Sequence, residues 1–323
     1  MKPKVFHIRI DSPPYYSSNP IALAIMENGF ECYGFNLYAK RMAHGSELMQ
    51  KELLKEVSNY KPNLIFAHVQ NSEHLNLETW KELTSIAPTI HYTCDVRNPD
   101  ETTWMYDIAA KSGTFTFFAT TEDVDRCSMY AGLTLKNVFQ CHSSCDMNMF
   151  RRQKENPSLY AFDVVFAGNK YVGTNLNFPL AEKRQEMVSI LSSKYFGRSA
   201  VYGLGQSGGV IVPEAEARAY NYSKIAINQN NFNCKDYTSD RLWKIMSTGT
   251  FCLSAYFPGI EKIFEKEKHL DWFYDFDEMQ TLIDFYLSDD DERKAIAECG
   301  MNYVRENHTW TDRVSYMVNK INF

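Results

Sequence analysis

Ser239-Asp240-Arg241-Leu242-Trp243-Lys244-Ile245-Met246-Ser247-Thr248-Gly249-Thr250-Phe251-Cys252-Leu253 is the stretch on which the fold turns. Ser239 and Asp240 are residue types that cap a helix start, and the free amides of such a first turn can hold an anion. Arg241 and Lys244 stand one turn apart beside them. Gly249 ends the helix, and the short apolar run from Phe251 to Leu253 reads as a buried parallel strand. A basic helix start, a glycine stop and a strand make a half-site for phosphate.

The same alternation extends in both directions from this stretch. Upstream, candidate strands at 163–167, 199–203 and 224–228 alternate with helical spacing at 180–192 and 214–220; downstream, helices are expected at 279–287, 291–305 and 311–321. The first half repeats the pattern, with strands at 5–10, 31–37, 63–68, 89–93, 115–119 and 137–141 and helical spacing at 47–58 and 102–110. Short apolar strands separated by helices argue a parallel sheet covered on both faces, with ligands at the carboxyl ends of the strands. Between the halves the pattern lapses at Arg151-Arg152-Gln153-Lys154-Glu155-Asn156-Pro157, which reads as a solvated linker. The expectation is an α/β chain of two Rossmann-like domains, 1–155 and 156–323, facing a central cleft, with the last helix able to pack back on the first domain.

Composition supports this reading and removes others. A chain of 323 residues suits two cores, and 44% hydrophobic with 23% charged residues belongs to a globular protein rather than a disordered one. A net charge of -6 argues against bulk electrostatic binding to nucleic acid or anionic membrane. No apolar run approaches the roughly 18 residues of a membrane span, and Met1-Lys2-Pro3-Lys4 leads straight into a strand, so a cytoplasmic protein is expected. The eight cysteines are scattered; Cys141 and Cys145 lack a second ligand pair at zinc spacing, so neither disulfides nor zinc is expected.

Several constellations carry chemistry. Phe166-Ala167-Gly168-Asn169-Lys170 ends a strand: Gly168 permits close backbone approach, and Asn169 and Lys170 can donate to a phosphate. With Arg241, Lys244 and the amides at Ser239 and Asp240, these residues would converge on a pyrophosphate. Gly203-Leu204-Gly205-Gln206-Ser207-Gly208 has dinucleotide-like glycine spacing but runs into Val210-Ile211-Val212-Pro213 rather than a helix, which leaves a loop near a nucleobase or a plain turn.

In the first half, His91-Tyr92-Thr93-Cys94-Asp95-Val96-Arg97 places a carboxylate and a guanidinium just past a central strand. Asp95 is either a general base on an acceptor hydroxyl, oriented by Arg97, or half of a structural pair. The loop from Asp11 to Asn19, with Ser12, Tyr15 and Tyr16, lies at the same sheet edge and either contacts an acceptor or forms a rigid turn; His91 is grouped with it. Asp123-Val124-Asp125 and Asp275-Phe276-Asp277 have metal-site spacing, but both are explained as acidic helix starts, and no metal is assigned.

Together these segments resemble the group 1 glycosyltransferases of the GT-B fold, in particular the spore-maturation-protein-like branch also found in phage and bacterial surface-sugar clusters. The resemblance rests on Asp163 to Gly168, Ser239-Asp240-Arg241 through Gly249, Pro258-Gly259-Ile260, Glu292-Arg293 with Ile296-Ala297 and Gly300, and His308-Thr309 with Arg313; Asp95-Val96-Arg97 looks like that branch's acceptor-domain motif. It implies a metal-independent transfer of a sugar from a nucleoside diphosphate sugar, with UDP-sugar one candidate, to a hydroxyl of a surface glycan, a protein or a modified phage DNA base. No cofactor is implied. Related retaining enzymes carry two glutamates, the later one bonded to the nucleotide ribose, where this chain has Asp236 and Lys244. A lysine cannot accept from ribose hydroxyls, so another group does that work or Lys244 serves a phosphate. A nucleotide-sugar epimerase of the same fold and a non-catalytic nucleotide-binding module are the alternatives.

Overall fold

A computed structural model describes residues 1–11, 19–70, 74–95, 103–154, 160–173 and 178–323. The chain divides into two units, Met1–Ser143 with Trp310–Phe323, and Ser144–Thr309. In the first, β1 (Lys4–Arg9), β2 (Glu31–Asn36), β3 (Leu64–His68), β4 (Thr89–Thr93), β5 (Phe115–Phe118) and β6 (Val138–Gln140) form one sheet in the order β2-β1-β3-β4-β5-β6. Every pairing is parallel. Parallel neighbours need crossovers, and α1 (Pro20–Glu27), α2 (Leu37–Tyr60), α3 (Leu77–Ile86), α4 (Thr103–Lys111) and α5 (Thr121–Ala131) supply them.

Local chemistry sets the helix starts. The side chains of Asn19, Asn36, Asn76 and Thr120 accept from the amides of Ala22, Ala39, Thr79 and Glu122, each a cap worth about 1 kcal/mol. Strand residues then alternate between two cores, as the two-residue period requires. Phe6, Ile8, Ile65 and Ala67 pack on one face; Val5, Leu64, Phe66, Ile90 and Tyr92 pack on the other.

The second unit holds β7 (Val164–Ala167), α6 (Ala181–Lys194), β8 (Ser199–Tyr202), α7 (Pro213–Tyr222), β9 (Ile225–Asn228), α8 (Asp240–Ser247), β10 (Phe251–Ala255), α9 (Ile260–Ile263), β11 (Asp271–Phe273), α10 (Phe276–Ser288) and α11 (Asp290–Asn307). Its sheet runs β11-β10-β9-β7-β8, again all parallel. The chain then ends in α12 (Trp310–Lys320), whose Trp310, Val314, Met317 and Val318 enter the core of the first unit. Asn28 secures it by donating to the Thr311 carbonyl at 3.0 Å.

Three features differ from the sequence expectation. Strand β11 is three residues long and opens on Asp271, too short and too polar to read as a strand. Helix α2 starts ten residues before its expected position and is interrupted at Gly45. Residues 144–154, read with the first domain, already belong to the second: Cys145 and Phe150 lie in its core, and the Phe150 carbonyl accepts from Ser247 Oγ at 2.7 Å. Among the described residues, no helix is long and apolar enough to cross a membrane.

Two imidazoles are built into the first core. His7 is fully buried against the Phe66 ring, and among the described residues neither ring nitrogen has a hydrogen-bond partner. His91 is equally buried, with Nε2 donating to the Val69 carbonyl at 3.1 Å. Burial drives both pKa values down, His7 to about 3 and His91 to about 4. Below pH 6.5 the unfolded chain therefore takes up protons that the folded state refuses, so stability falls as pH drops. Each imidazole should cost about 1.4 kcal/mol per pH unit between pH 6.5 and about 4. Urea midpoints at pH 7 and pH 5 test this, and His7→Phe should flatten the dependence by one imidazole's share; superimposable profiles for the two proteins would refute it.

Candidate functional site

The site is built from the carboxyl edge of the second sheet. Strand β7 is four buried apolar residues ending at Ala167, just before Gly168. There the chain is knitted to the turn after β8: Asn169 Oδ1 accepts from the Leu204 amide at 2.9 Å, the Lys170 amide donates to the Leu204 carbonyl at 2.9 Å, and Gln206 Nε2 donates to the Gly168 carbonyl at 3.1 Å. Gly203 makes this seam possible. Its φ is 136°, and a Cβ there would sit 2.4 Å from the Gly168 carbonyl oxygen. The turn containing Gly203 and Gly205 is thus fastened beside β7, while Val210 further along it is 73% exposed.

Arg241, in the first turn of α8, reaches back across this edge. Its Nε donates to the Ala167 carbonyl, and its Nη1 to the Gln229 carbonyl at 3.1 Å and Ser239 Oγ at 3.4 Å. The guanidinium lies 5.1 Å from the centre of the Phe166 ring. A Cβ on Gly168 would come within 3.0 Å of Arg241 Nη2 and 2.7 Å of Phe166 Cζ, so this glycine makes room for the cation and the ring beneath it. Among the described residues, Nη2 meets no acceptor and no carboxylate pairs with Arg241.

A second cation stands beside it that the sequence reading passed over. Arg184, in α6, is 3% exposed. Its Nη2 donates to the same Gln229 carbonyl at 2.8 Å, its Nη1 to the Asn169 carbonyl at 3.3 Å, and its Nε has no partner among the described residues. The Phe166 ring lies 5.5 Å away and the Tyr171 ring 5.9 Å away. Burial, followed by repulsion from Arg241, lowers its pKa, yet a guanidinium starts high enough to remain charged at neutral pH. The legible signal was its spacing: Arg184, Met187, Val188 and Leu191 form an i, i+3, i+4, i+7 stripe, which puts an arginine on the buried face of α6.

Among the described residues, the two guanidiniums share one carbonyl and neither forms an ion pair with a carboxylate, an arrangement able to hold an anion. Neutral acceptors satisfy their hydrogen bonds without cancelling their charge, so a bound anion has two fixed cations to meet. The Ser239 side chain makes no capping bond, and its amide donates to Asn230 Oδ1 at 3.3 Å.

The other expected residues are placed differently. Lys244 has carboxylate partners: its Nζ is 2.8 Å from Asp240 and 3.3 Å from Glu216 on α7, with the Phe150 ring 5.1 Å away. Asp240 is correspondingly engaged, although half its side chain is exposed. Asp236 is buried and ion-paired with Lys262 at 2.9 Å, and its amide donates to the Pro258 carbonyl, so it secures the turn before α9.

In the first unit, Asp95 is exposed just past the end of β4. His91, grouped with an acceptor surface on sequence, is instead a core residue, 4.7 Å from the Trp80 ring and 6.0 Å from the Trp104 ring. Its strand position points it inward because β4 is central and covered on both faces. Ser12, Tyr15, Tyr16 and Arg97 lie outside the described residues. Asp123 accepts from Tyr106 Oη at 2.8 Å behind the Thr120 cap, and Asp275 caps α10 through the Glu278 amide, so both acidic pairs are helix starts.

Residues 179–319 match the family described as "Glycosyl transferase-like". The Anabaena HepE structure in complex with UDP-glucose is similar to the chain at a TM-score of 0.63 and 10% identity, covering 99% of each chain. Sucrose-phosphate synthase from Thermosynechococcus elongatus matches at 0.65 and 10%, covering 99% of this chain and 98% of that one. A trehalose-phosphate synthase from Burkholderia vietnamiensis matches at 0.66 and 10%, covering 100% and 98%. No protein of curated function matches the sequence. The fold is that of the GT-B glycosyltransferases, and the glycosyltransferase-like match covers residues 179–319.

The anion site makes a direct demand. Inorganic pyrophosphate should raise the thermal midpoint, since a ligand held only by the folded state stabilises it. Arg241→Ala should weaken pyrophosphate binding by about tenfold or more, the worth of one charge-assisted hydrogen bond. Calorimetric titration of both proteins checks it, and equal affinities would refute the assignment.

Proposed function

We propose that the chain transfers a sugar from a nucleoside diphosphate sugar, with UDP-sugar as the donor, to a hydroxyl acceptor, and that it does so without a metal ion. The observation that carries this reading is the pair Arg184 and Arg241, which share the Gln229 carbonyl beside Gly168 and have no carboxylate partner among the described residues. A diphosphate gains negative charge as a sugar leaves it, and fixed cations stabilise that charge where it develops. Guanidiniums held by carbonyls and an aromatic face need no reorganisation at that moment. The glycosyltransferase-like match over residues 179–319 and the UDP-glucose named with HepE support the same donor.

In this reading Gly168, Asn169, Lys170 and the Gly203 turn line the donor site, with Ser239 and Arg241 at the head of α8. Asp95 serves as the base that takes the proton of the acceptor hydroxyl, oriented by Arg97, as a carboxylate exposed past a central strand can. The acceptor is a hydroxyl of a glycan, a protein or a modified base. The narrower kinship with spore-maturation-like enzymes, and a cytoplasmic setting, belong to the same proposal.

Incubation with UDP-glucose and related nucleotide sugars, following free nucleotide and sugar products, tests the reading. Acceptor-dependent release of UDP, unchanged by a chelator, is expected. Asp95→Asn should lower kcat by about 10²-fold or more with donor affinity intact. Formation of an epimer without transfer product would overturn the transferase assignment.

A further inference from the structure

Besides Asp240 of α8 itself, the neighbouring helix supplies a carboxylate to Lys244. Helix α7 follows β8 and α8 follows β9 in a parallel sheet, so both helices begin at the same carboxyl edge, where Arg241 lies. Glu216 is in the first turn of α7, with its side chain 13% exposed. Its Oε1 accepts from Tyr220 Oη at 2.9 Å, and its Oε2 faces Lys244 Nζ at 3.3 Å. A carboxylate has about four acceptor positions, so two remain after Tyr220 and Lys244 are counted. Tyr220 is fully buried, and burial, with the Glu216 charge behind it, keeps its phenol protonated as a donor.

Lys244 bridges Glu216 to α8 and is also held by Asp240 at 2.8 Å. It sits three residues after Arg241, about 4.5 Å further along the helix axis. The group reached there from a diphosphate on Arg241 is whatever the α-phosphate is esterified to, and in a nucleotide that is a ribose with vicinal hydroxyl donors. Lysine has no lone pair to offer them. The carboxylate anchored on Lys244 does.

We propose that Glu216, positioned by Lys244 and Tyr220, accepts the ribose hydroxyls of the bound nucleotide, so that the ribose-holding carboxylate of this chain comes from α7 rather than α8. The inference rests on the nucleotide-sugar reading. Glu216 then selects ribonucleotides over deoxyribonucleotides and is a positioning contact for the donor, without a part in the bond-breaking step.

Titrations with UDP, 2′-deoxy-UDP and inorganic pyrophosphate test it. The wild type should prefer UDP over 2′-deoxy-UDP by about tenfold, the worth of one hydrogen bond to a charged group. Glu216→Gln and Glu216→Ala should bring that preference to within about twofold while leaving pyrophosphate affinity unchanged, and K244E in the Glu216→Ala background should restore it. A preference that survives both Glu216 substitutions, or a parallel loss of pyrophosphate affinity, would overturn the inference and make Glu216 structural. If the wild type binds neither nucleotide nor pyrophosphate, the donor reading itself fails; if it binds both nucleotides equally, only the role of Glu216 does.

Discussion

The carbonyl oxygen of Gln229 accepts from Arg184 and from Arg241, and the second unit is arranged around that double contact. Bringing two guanidiniums together away from water is unfavourable twice over, through desolvation and through like-charge repulsion. The structure offsets this with neutral acceptors and with the Phe166 face beneath both cations. A carboxylate would have relieved the repulsion more completely. It would also have neutralised the charge on which the proposed diphosphate contact rests.

Other features follow from this constraint. Gly168 has no side chain because Arg241 and the Phe166 ring occupy the volume, and Gly203 has none because the Gly168 carbonyl does. The seam between the ends of β7 and β8 then leaves Asn169 with its carbonyl turned to Arg184 and its side-chain oxygen on Leu204. Lys244, which composition alone would count as a third cation of the site, is instead bound by Asp240 and Glu216. Arg241 and Lys244, one turn apart on α8, therefore have different partners: backbone carbonyls for the first and carboxylates for the second.

The periodicity of the chain was a reliable guide because parallel strands buried on both faces are short, continuous apolar runs, as at Val164 to Ala167 and Ile225 to Asn228. It was unreliable where that physics is weak. Strand β11 pairs only along β10 and opens on a buried aspartate satisfied by Tyr286 and the Trp272 amide, so polarity concealed it. His91 was grouped with the acceptor side beside Asp95, although its strand is central and its neighbours are Trp80 and Trp104. Arg184 was passed over because arginine is usually exposed, although its spacing in α6 followed the apolar stripe.

The sequence by itself determined the parallel α/β architecture, the glycine ends of its strands and the basic start of α8, because these depend on local period, cap and turn chemistry. Only the tertiary structure decided which charges meet. Arg184 and Arg241 are 57 positions apart in the chain, and Glu216 and Lys244 are 28 apart. Their pairing depends on the sheet order β11-β10-β9-β7-β8, which sets neighbouring helices side by side and directs their first turns to one edge. Electrostatic interaction is set by distance through space, and no spacing along the chain records it.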